Sequence, residues 1–298
     1  MMATAFCPAH ITGFFKAELD KENSKELGSL GAGFSIQKGV KTTVTIRNKT
    51  EHDISNFTIK VNGFESGDMK VSELVLSKFP TKEKFVDVIH EIDVPVGYGF
   101  GSSAAVALSL AIALNHALEC KLSKIKVAQI AHDVEIECKT GLGDVLASYH
   151  GGFEIRDKPG APGIGHVQKI TLNKISIIMI CFSPISTSKF IKERLPQING
   201  LGGKMVNKLL ESKNYEHFQE MSLEFAKYVD VMTPRMQKVV NELSKNNIKC
   251  GIALFGETIF SMIPKENENK VLEILEKYSD GIIIKSELDD VGARVLHN

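Results

Sequence analysis

The chain has 298 residues, enough for two domains, and its 36 basic side chains balance 36 acidic ones. That balance gives no broad pull toward nucleic acid or an anionic membrane, so neither is expected as a partner. No basic stretch with an apolar core opens the chain, and its five cysteines (Cys7, Cys120, Cys138, Cys181, Cys250) form no C-x-x-C pair. No secretory signal, zinc site or disulfide framework is expected, and the thiols read as reduced and mostly buried in a cytoplasmic protein.

Strands and glycine turns mix in the first half. Lys41-Thr-Thr-Val-Thr-Ile-Arg47 alternates as a strand does, and Phe57-Thr-Ile-Lys-Val61 is a second extended run. Asn62-Gly63 reads as a tight turn after it. A β-like run over 85–94 leads into a glycine-rich segment, and an alanine- and leucine-rich helix is predicted over 104–118, too short to span a bilayer. A second helix is predicted over 124–138. Gly141-Leu-Gly-Asp144 opens another helical segment, which Gly151-Gly152 ends.

The stretch Asp157-Lys-Pro-Gly-Ala-Pro-Gly-Ile-Gly165 reads equally as a linker or as a long hairpin loop. The domain junction is placed after the strand 166–170, giving domains 1–170 and 171–298. Beyond it, 175–182 is a nearly continuous apolar run suited to a central strand. Helices follow at about 203–213, 215–231 and 234–246. Strands over 250–254 and 258–263 then flank Phe255-Gly256-Glu257, before a helix at 266–278 and a strand at 281–285. Helices and strands mingle without regular β-α alternation, so the class is α+β.

The chemistry concentrates in Pro95-Val-Gly-Tyr-Gly-Phe-Gly-Ser-Ser-Ala-Ala105. Glycines at alternate positions let backbone N–H groups approach a ligand, and two serines sit at a helix start, where the dipole favours an anion. Pro95, Gly97, Gly99, Phe100, Gly101, Ser102, Ser103 and Ala104 are therefore the candidate phosphate cradle. A serine-capped glycine turn without a ligand is the plainer alternative. Asp144, on a Gly-x-Gly-Asp turn, could orient or accept the proton of an attacking hydroxyl, or could be an ordinary N-cap. Glu135 offers an acidic oxygen for Mg²⁺, with Glu137 as the alternative ligand, or is a solvated surface carboxylate. His132, one turn earlier, reads as a helix-surface histidine.

Pro95-x-x-x-Gly99-Phe-Gly-Ser-Ser-Ala-Ala105 resembles the second motif of the GHMP kinases, and the resemblance extends over essentially the whole chain. Pro8-Ala9-His10 stands at the place of that family's first motif, Thr140 to Asp144 at its catalytic segment, and Gly251 to Gly256 at its third. The resemblance implies a ribosomal S5-like N-terminal domain with a left-handed βαβ unit and a ferredoxin-like C-terminal domain. It also implies ATP and Mg²⁺ as cofactors, Ser103 and Glu135 as metal ligands, and Asp144 as the catalytic residue. His10-Ile-Thr-Gly-Phe-Phe15, Gly28-Ser-Leu-Gly-Ala-Gly33 and Gly292-Ala-Arg-Val-Leu296 are most similar to the family's pantoate-phosphorylating branch. That branch implies pantoate as the acceptor, with His10, Thr12 and Arg294 as candidate substrate-binding residues; a structural hydrogen bond for His10 and a near-terminal surface position for Arg294 are the plainer alternatives. Homoserine, mevalonate or shikimate as acceptor, and a catalytically silent nucleotide-binding regulator, are the alternatives. A homodimer is an assembly that the family allows.

Overall fold

The computed structural model of the chain describes residues 1–64 and 69–296. Two long strands dominate its first half. β1 (Met2–Glu18) and β2 (Gly28–Asn48) pair antiparallel from Met2↔Thr45 to Glu18↔Gly28. The register shifts between Pro8 and Ala9 and again between Thr12 and Phe14, so His10 and Thr12 lie on a stretch bounded by two irregularities. Such bulges bend a strand and re-aim its side chains, and residues two apart share a face. On β2 the same alternation puts Ser29, Gly31, Gly33 and Ser35 on one face. Leu30, Ala32, Phe34 and Ile36 turn the other way, into the core.

β3 (Phe57–Gly63) and β4 (Lys84–Ile92) run parallel with α1 (Lys70–Ser77) between them. The tight turn expected at Asn62-Gly63 is therefore absent. Both residues end β3 opposite Glu91 and Ile92, because parallel neighbours need a crossover and not a hairpin. α2 (Ser102–Ala117), which is almost wholly buried, packs on β1 and β2, and α3 (Lys124–Cys138) packs on α2. Small alanines let α2 lie close to the sheet. Buried His90 of β4 bonds Thr42 Oγ1 (2.8 Å) and Ser72 Oγ (3.0 Å), while Thr42 Oγ1 meets Ser109 Oγ (2.6 Å), joining α1, β2 and α2. After α4 (Asp144–His150), β5 (Phe153–Lys158) and β6 (His166–Ile170) form a hairpin, so the Pro- and Gly-rich stretch is a hairpin loop.

The chain changes sheet with β7 (Ile175–Pro184). That strand is joined by β8 (Gly251–Ala253), β9 (Gly256–Pro264) and β10 (Ile282–Glu287) in the antiparallel order β10-β7-β9-β8. Counted from β7, this is the order 4-1-3-2 of a ferredoxin-like sheet. Its helices are α5 (Thr187–Ser212), α6 (Tyr215–Tyr228), α7 (Pro234–Lys245) and α8 (Glu268–Leu275). α5 begins well before the expected 203. Pro196 and the glycines at 200, 202 and 203 read as breakers, yet the helix carries them through.

β11 (Arg294–Leu296) then returns to the first sheet and pairs with β1. The two halves also share a core. Phe14, Phe34 and Phe153 meet Phe218 with ring centroids 5.1 to 6.1 Å apart, and Phe34 meets Phe260 at 5.0 Å. Among the described residues no helix is long and apolar enough to cross a membrane, and all five cysteines are free of disulfides.

Candidate active site

A cleft of about 400 Å³ opens between the halves, with the 97–103 segment on one side and Thr12, Thr140 and Asp144 on the other. Gly99 has φ +87°, and Gly101, the N-cap of α2, has φ +55°. Both lie in left-handed space that side chains disfavour. A Cβ on Gly99 would also strike the Leu254 carbonyl oxygen. The loop is tied from both halves: His10 N donates to Phe100 O (3.0 Å), Ile185 N to Gly97 O (2.9 Å), and Thr258 Oγ1 to Tyr98 O (2.8 Å). The N-terminus of α2 opens into the cleft, with Ser102 and Ser103 in its lining. Unpaired first-turn N–H groups and the helix dipole make this a seat for an anion. Pro95 and Ala104, also assigned to the cradle, are buried behind it and support the turn without lining it.

Asp144 faces this seat. The N-cap of α4 is Gly143, and Asp144 does not cap the helix. Its Oδ1 meets His10 Nδ1 at 2.8 Å and accepts from Thr12 Oγ1 at 3.4 Å, with 15% of the side chain exposed. Burial alone would raise its pKa. The hydrogen bond from His10 and the charges of His10 and Arg156 outweigh that and hold the carboxyl below its ordinary value.

Glu135 is buried, accepting from Thr140 Oγ1 (2.6 Å) and Ser103 Oγ (3.1 Å). Burial pushes its carboxyl up to about 7, with the Thr140 bond opposing and the Asp144 charge adding. A Cβ on Gly141 would lie 2.5 Å from Glu135 Oε2 and 3.1 Å from Asp144 Oδ2, so both carboxyls crowd the same bare backbone. Glu137, the alternative metal ligand, is corrected away: it is exposed and pairs with Lys78 at 3.1 Å. His132 is also not at the surface but buried, with Nε2 3.1 Å from the Ser24 carbonyl oxygen.

The candidate substrate residues divide. Thr12 lines the cleft. His10 does not, because it is fully buried with one ring nitrogen on Asp144 and the other 3.0 Å from Glu154 Oε1. Arg294 is a correction. It lies opposite Phe6 on β11 and binds Asp289 (2.9 Å), while Thr12 is about 20 Å farther along β1 at roughly 3.3 Å per residue.

Lys139 lines the cleft, and a second cation, Arg156 of β5, which no motif contains, lies beside it. Arg156 is buried, yet it lines a recess beside the cleft with Thr12, Ser29, Asp144 and Phe255. Its Nη1 donates to Glu154 Oε1 (2.5 Å), while its Nε is buried without a partner. The glycines of β2 make room for it: a Cβ on Gly31 would lie 2.6 Å from Arg156 Nη2. Glycines two apart within a strand were the available signal, since they mark a stripe over which neighbouring side chains can reach.

A glycine loop at a helix N-terminus, facing an ionised aspartate across a cleft, defines a phosphoryl-transferring enzyme. A family model described as the GHMP kinases N terminal domain matches residues 69–152. A pantoate kinase of Methanocaldococcus jannaschii is 33% identical over 276 residues, covering 91% of this chain and 96% of that protein. A pantoate kinase of Thermococcus kodakarensis is 29% identical over 279 residues, covering 92% of each. A solved structure described as a phosphotransferase related to the CoA biosynthesis pathway has a TM-score of 0.88 at 28% identity, covering 99% of this chain and 98% of that one. The chain belongs to the GHMP kinase family.

Proposed function

We propose that the protein is a cytoplasmic, ATP-dependent kinase that phosphorylates the 4-hydroxyl of (R)-pantoate, supplying 4-phosphopantoate for coenzyme A synthesis. The observation that carries this reading is the pairing of Asp144, facing the 97–103 loop, with Arg156 in the adjoining recess. Pantoate presents a hydroxyl to be phosphorylated and a carboxylate to be held, and the two residues suit those groups. The matched pantoate kinases along nearly the full chain support the same acceptor.

The loop N–H groups and the α2 N-terminus bind the phosphates of ATP. Arg156 supplies the positive charge beside Asp144 that suits the carboxylate, and Thr12 borders both the recess and the cleft. Asp144 orients the hydroxyl and accepts its proton as the hydroxyl oxygen bonds to the γ-phosphorus and the bond to ADP breaks. The transition state is loose, so positioning and charge stabilisation matter more than base strength. Ser103 and Glu135 present the hard oxygen donors suited to Mg²⁺, which supplies charge neutralisation on the phosphate oxygens when bound.

The test is ADP release with ATP and Mg²⁺ against pantoate, homoserine, mevalonate and shikimate in parallel. Turnover with pantoate alone is expected. Turnover with another acceptor would keep the phosphotransferase and discard the coenzyme A role, and ATP binding with silence across the panel would favour a nucleotide-binding regulator.

A further inference from the structure

Glu154 lies in none of the sequence motifs and in no lining of the cleft, yet it is a fully buried carboxylate next to the groups that face it. Its Oε1 stands 3.0 Å from His10 Nε2 and accepts from Arg156 Nη1 at 2.5 Å, while its Oε2 is buried without a partner. The approach depends on β2, which runs between β1 and β5. Gly33 pairs with Thr12 on one side and with Glu154 on the other, and a Cβ there would lie 2.5 Å from His10 Nε2. A side chain at that position would stand where the imidazole crosses to Glu154.

The two contacts of His10 constrain its protonation. Nδ1 meets Asp144 Oδ1 at 2.8 Å and Nε2 meets Glu154 Oε1 at 3.0 Å. A neutral imidazole has one N–H, so with two ionised carboxylates one contact would set lone pair against lone pair. The imidazolium donates to both. Arg156 Nη1 lies farther from Nε2, at 3.4 Å, and is already committed to Glu154. The charged groups that meet His10 are Asp144 from α4, and Glu154 and Arg156 from β5. With His10 protonated they alternate in sign along the chain Asp144, His10, Glu154, Arg156 and sum to zero, the arrangement under which buried charges are tolerated.

We propose that Glu154 is a positioning residue for phosphoryl transfer: it keeps His10 an imidazolium, and through it keeps Asp144 ionised and fixed toward the cleft. Catalysis then depends on a carboxylate that touches neither ATP nor acceptor. The direction of the His10 shift agrees. Burial alone would lower its pKa, but the bonds to Asp144 and Glu154 lift it above the ordinary histidine value. Turnover should therefore fall at high pH as His10 loses its proton. Removing the Glu154 charge withdraws part of that lift, so the alkaline limb moves to lower pH.

The inference rests on the kinase reading above, so its test has one arm that needs no turnover. In protein labelled with ¹⁵N at histidine, the His10 signals, assigned by their loss in His10→Asn, should report an imidazolium at about pH 7.5, roughly a unit above the ordinary histidine pKa. A neutral ring at that pH would overturn the proposal even if pantoate is phosphorylated. The second arm is Glu154→Gln. Its kcat should fall about tenfold or more with the ATP KM little changed, and its alkaline limb should shift down by about one pH unit. A pH profile that superimposes on the parent's would reduce Glu154 to a packing role. Failure of the parent protein to phosphorylate pantoate would count against the acceptor, and the nitrogen signals would still decide the state of His10.

Discussion

The loop side of the cleft is made of backbone, and the aspartate side is made of side chains. Residues 97–103 are contiguous, and their seat follows from three positive-φ glycines and a helix N-terminus. The facing side gathers His10, Asp144, Glu154 and Arg156 from β1, α4 and β5, linked by hydrogen bonds and charge. Apart from Ser103, whose hydroxyl meets Glu135, the first kind of site tolerates changes in side chains and fails where the backbone cannot follow. The second kind is coupled, so a change at one member alters the protonation and aim of the others.

Substitutions can break this contrast in order of expected effect. Asp144→Asn should lower kcat by about 10²- to 10⁴-fold while ATP affinity, read by equilibrium titration, stays within about twofold. Turnover near the parent's would remove Asp144 from the chemistry. Arg156→Lys keeps the charge but loses the planar fork, and should raise the pantoate KM by about 10- to 100-fold with a much smaller change for ATP. Equal changes in both constants would place Arg156 in general support.

On the loop side, Gly99→Ala should raise the ATP KM about tenfold and lower the melting temperature. It forces a side chain into left-handed backbone at a cost of about 1–3 kcal/mol, against the Leu254 carbonyl. An unchanged ATP KM would mean that the loop is not the phosphate seat. The smallest effect should come from Arg294→Ala, whose ion pair with Asp289 lies far along β1 from the cleft. Both Michaelis constants should stay within about twofold of the parent's. A selective rise for pantoate would restore Arg294 to the binding site and weaken the case for Arg156.

The same contrast explains what could be read from the sequence. The loop, α3 and the segment opening at Gly141 were legible because each is set by neighbours in the chain: glycines at fixed offsets, the Ser123 N-cap, the turn before Asp144. Asp144 lines the cleft, and its partner His10 lies behind it. His10 reads as a cation for the acceptor, and only the crossing over Gly33 shows both its nitrogens already taken. Arg156 and Glu154 were hidden because Phe153-Glu-Ile-Arg156 alternates apolar and charged residues, the usual sign of a strand with one wet face. Here the charged face at 154 and 156 is buried against β1 and α4. Nothing local encodes that, because it depends on a sheet assembled across more than a hundred residues. The parallel pairing of β3 with β4 escaped for a similar reason: Asn62-Gly63 has hairpin composition, but the partner strand runs the other way.

The return of β11 to β1 has a bearing on how the protein is made. Thr4, Ala5 and Phe6 leave the ribosome about 290 residues ahead of their partners on that side, Leu296, Val295 and Arg294. At about 5–20 residues per second, this margin of the sheet stays open for roughly 15–60 s while the rest of the chain is synthesised. An open strand margin is a template for wrong pairing. β1 therefore waits on one side for a partner made about 290 residues later, and a chain cut short before β11 would carry a sheet already built but unsealed.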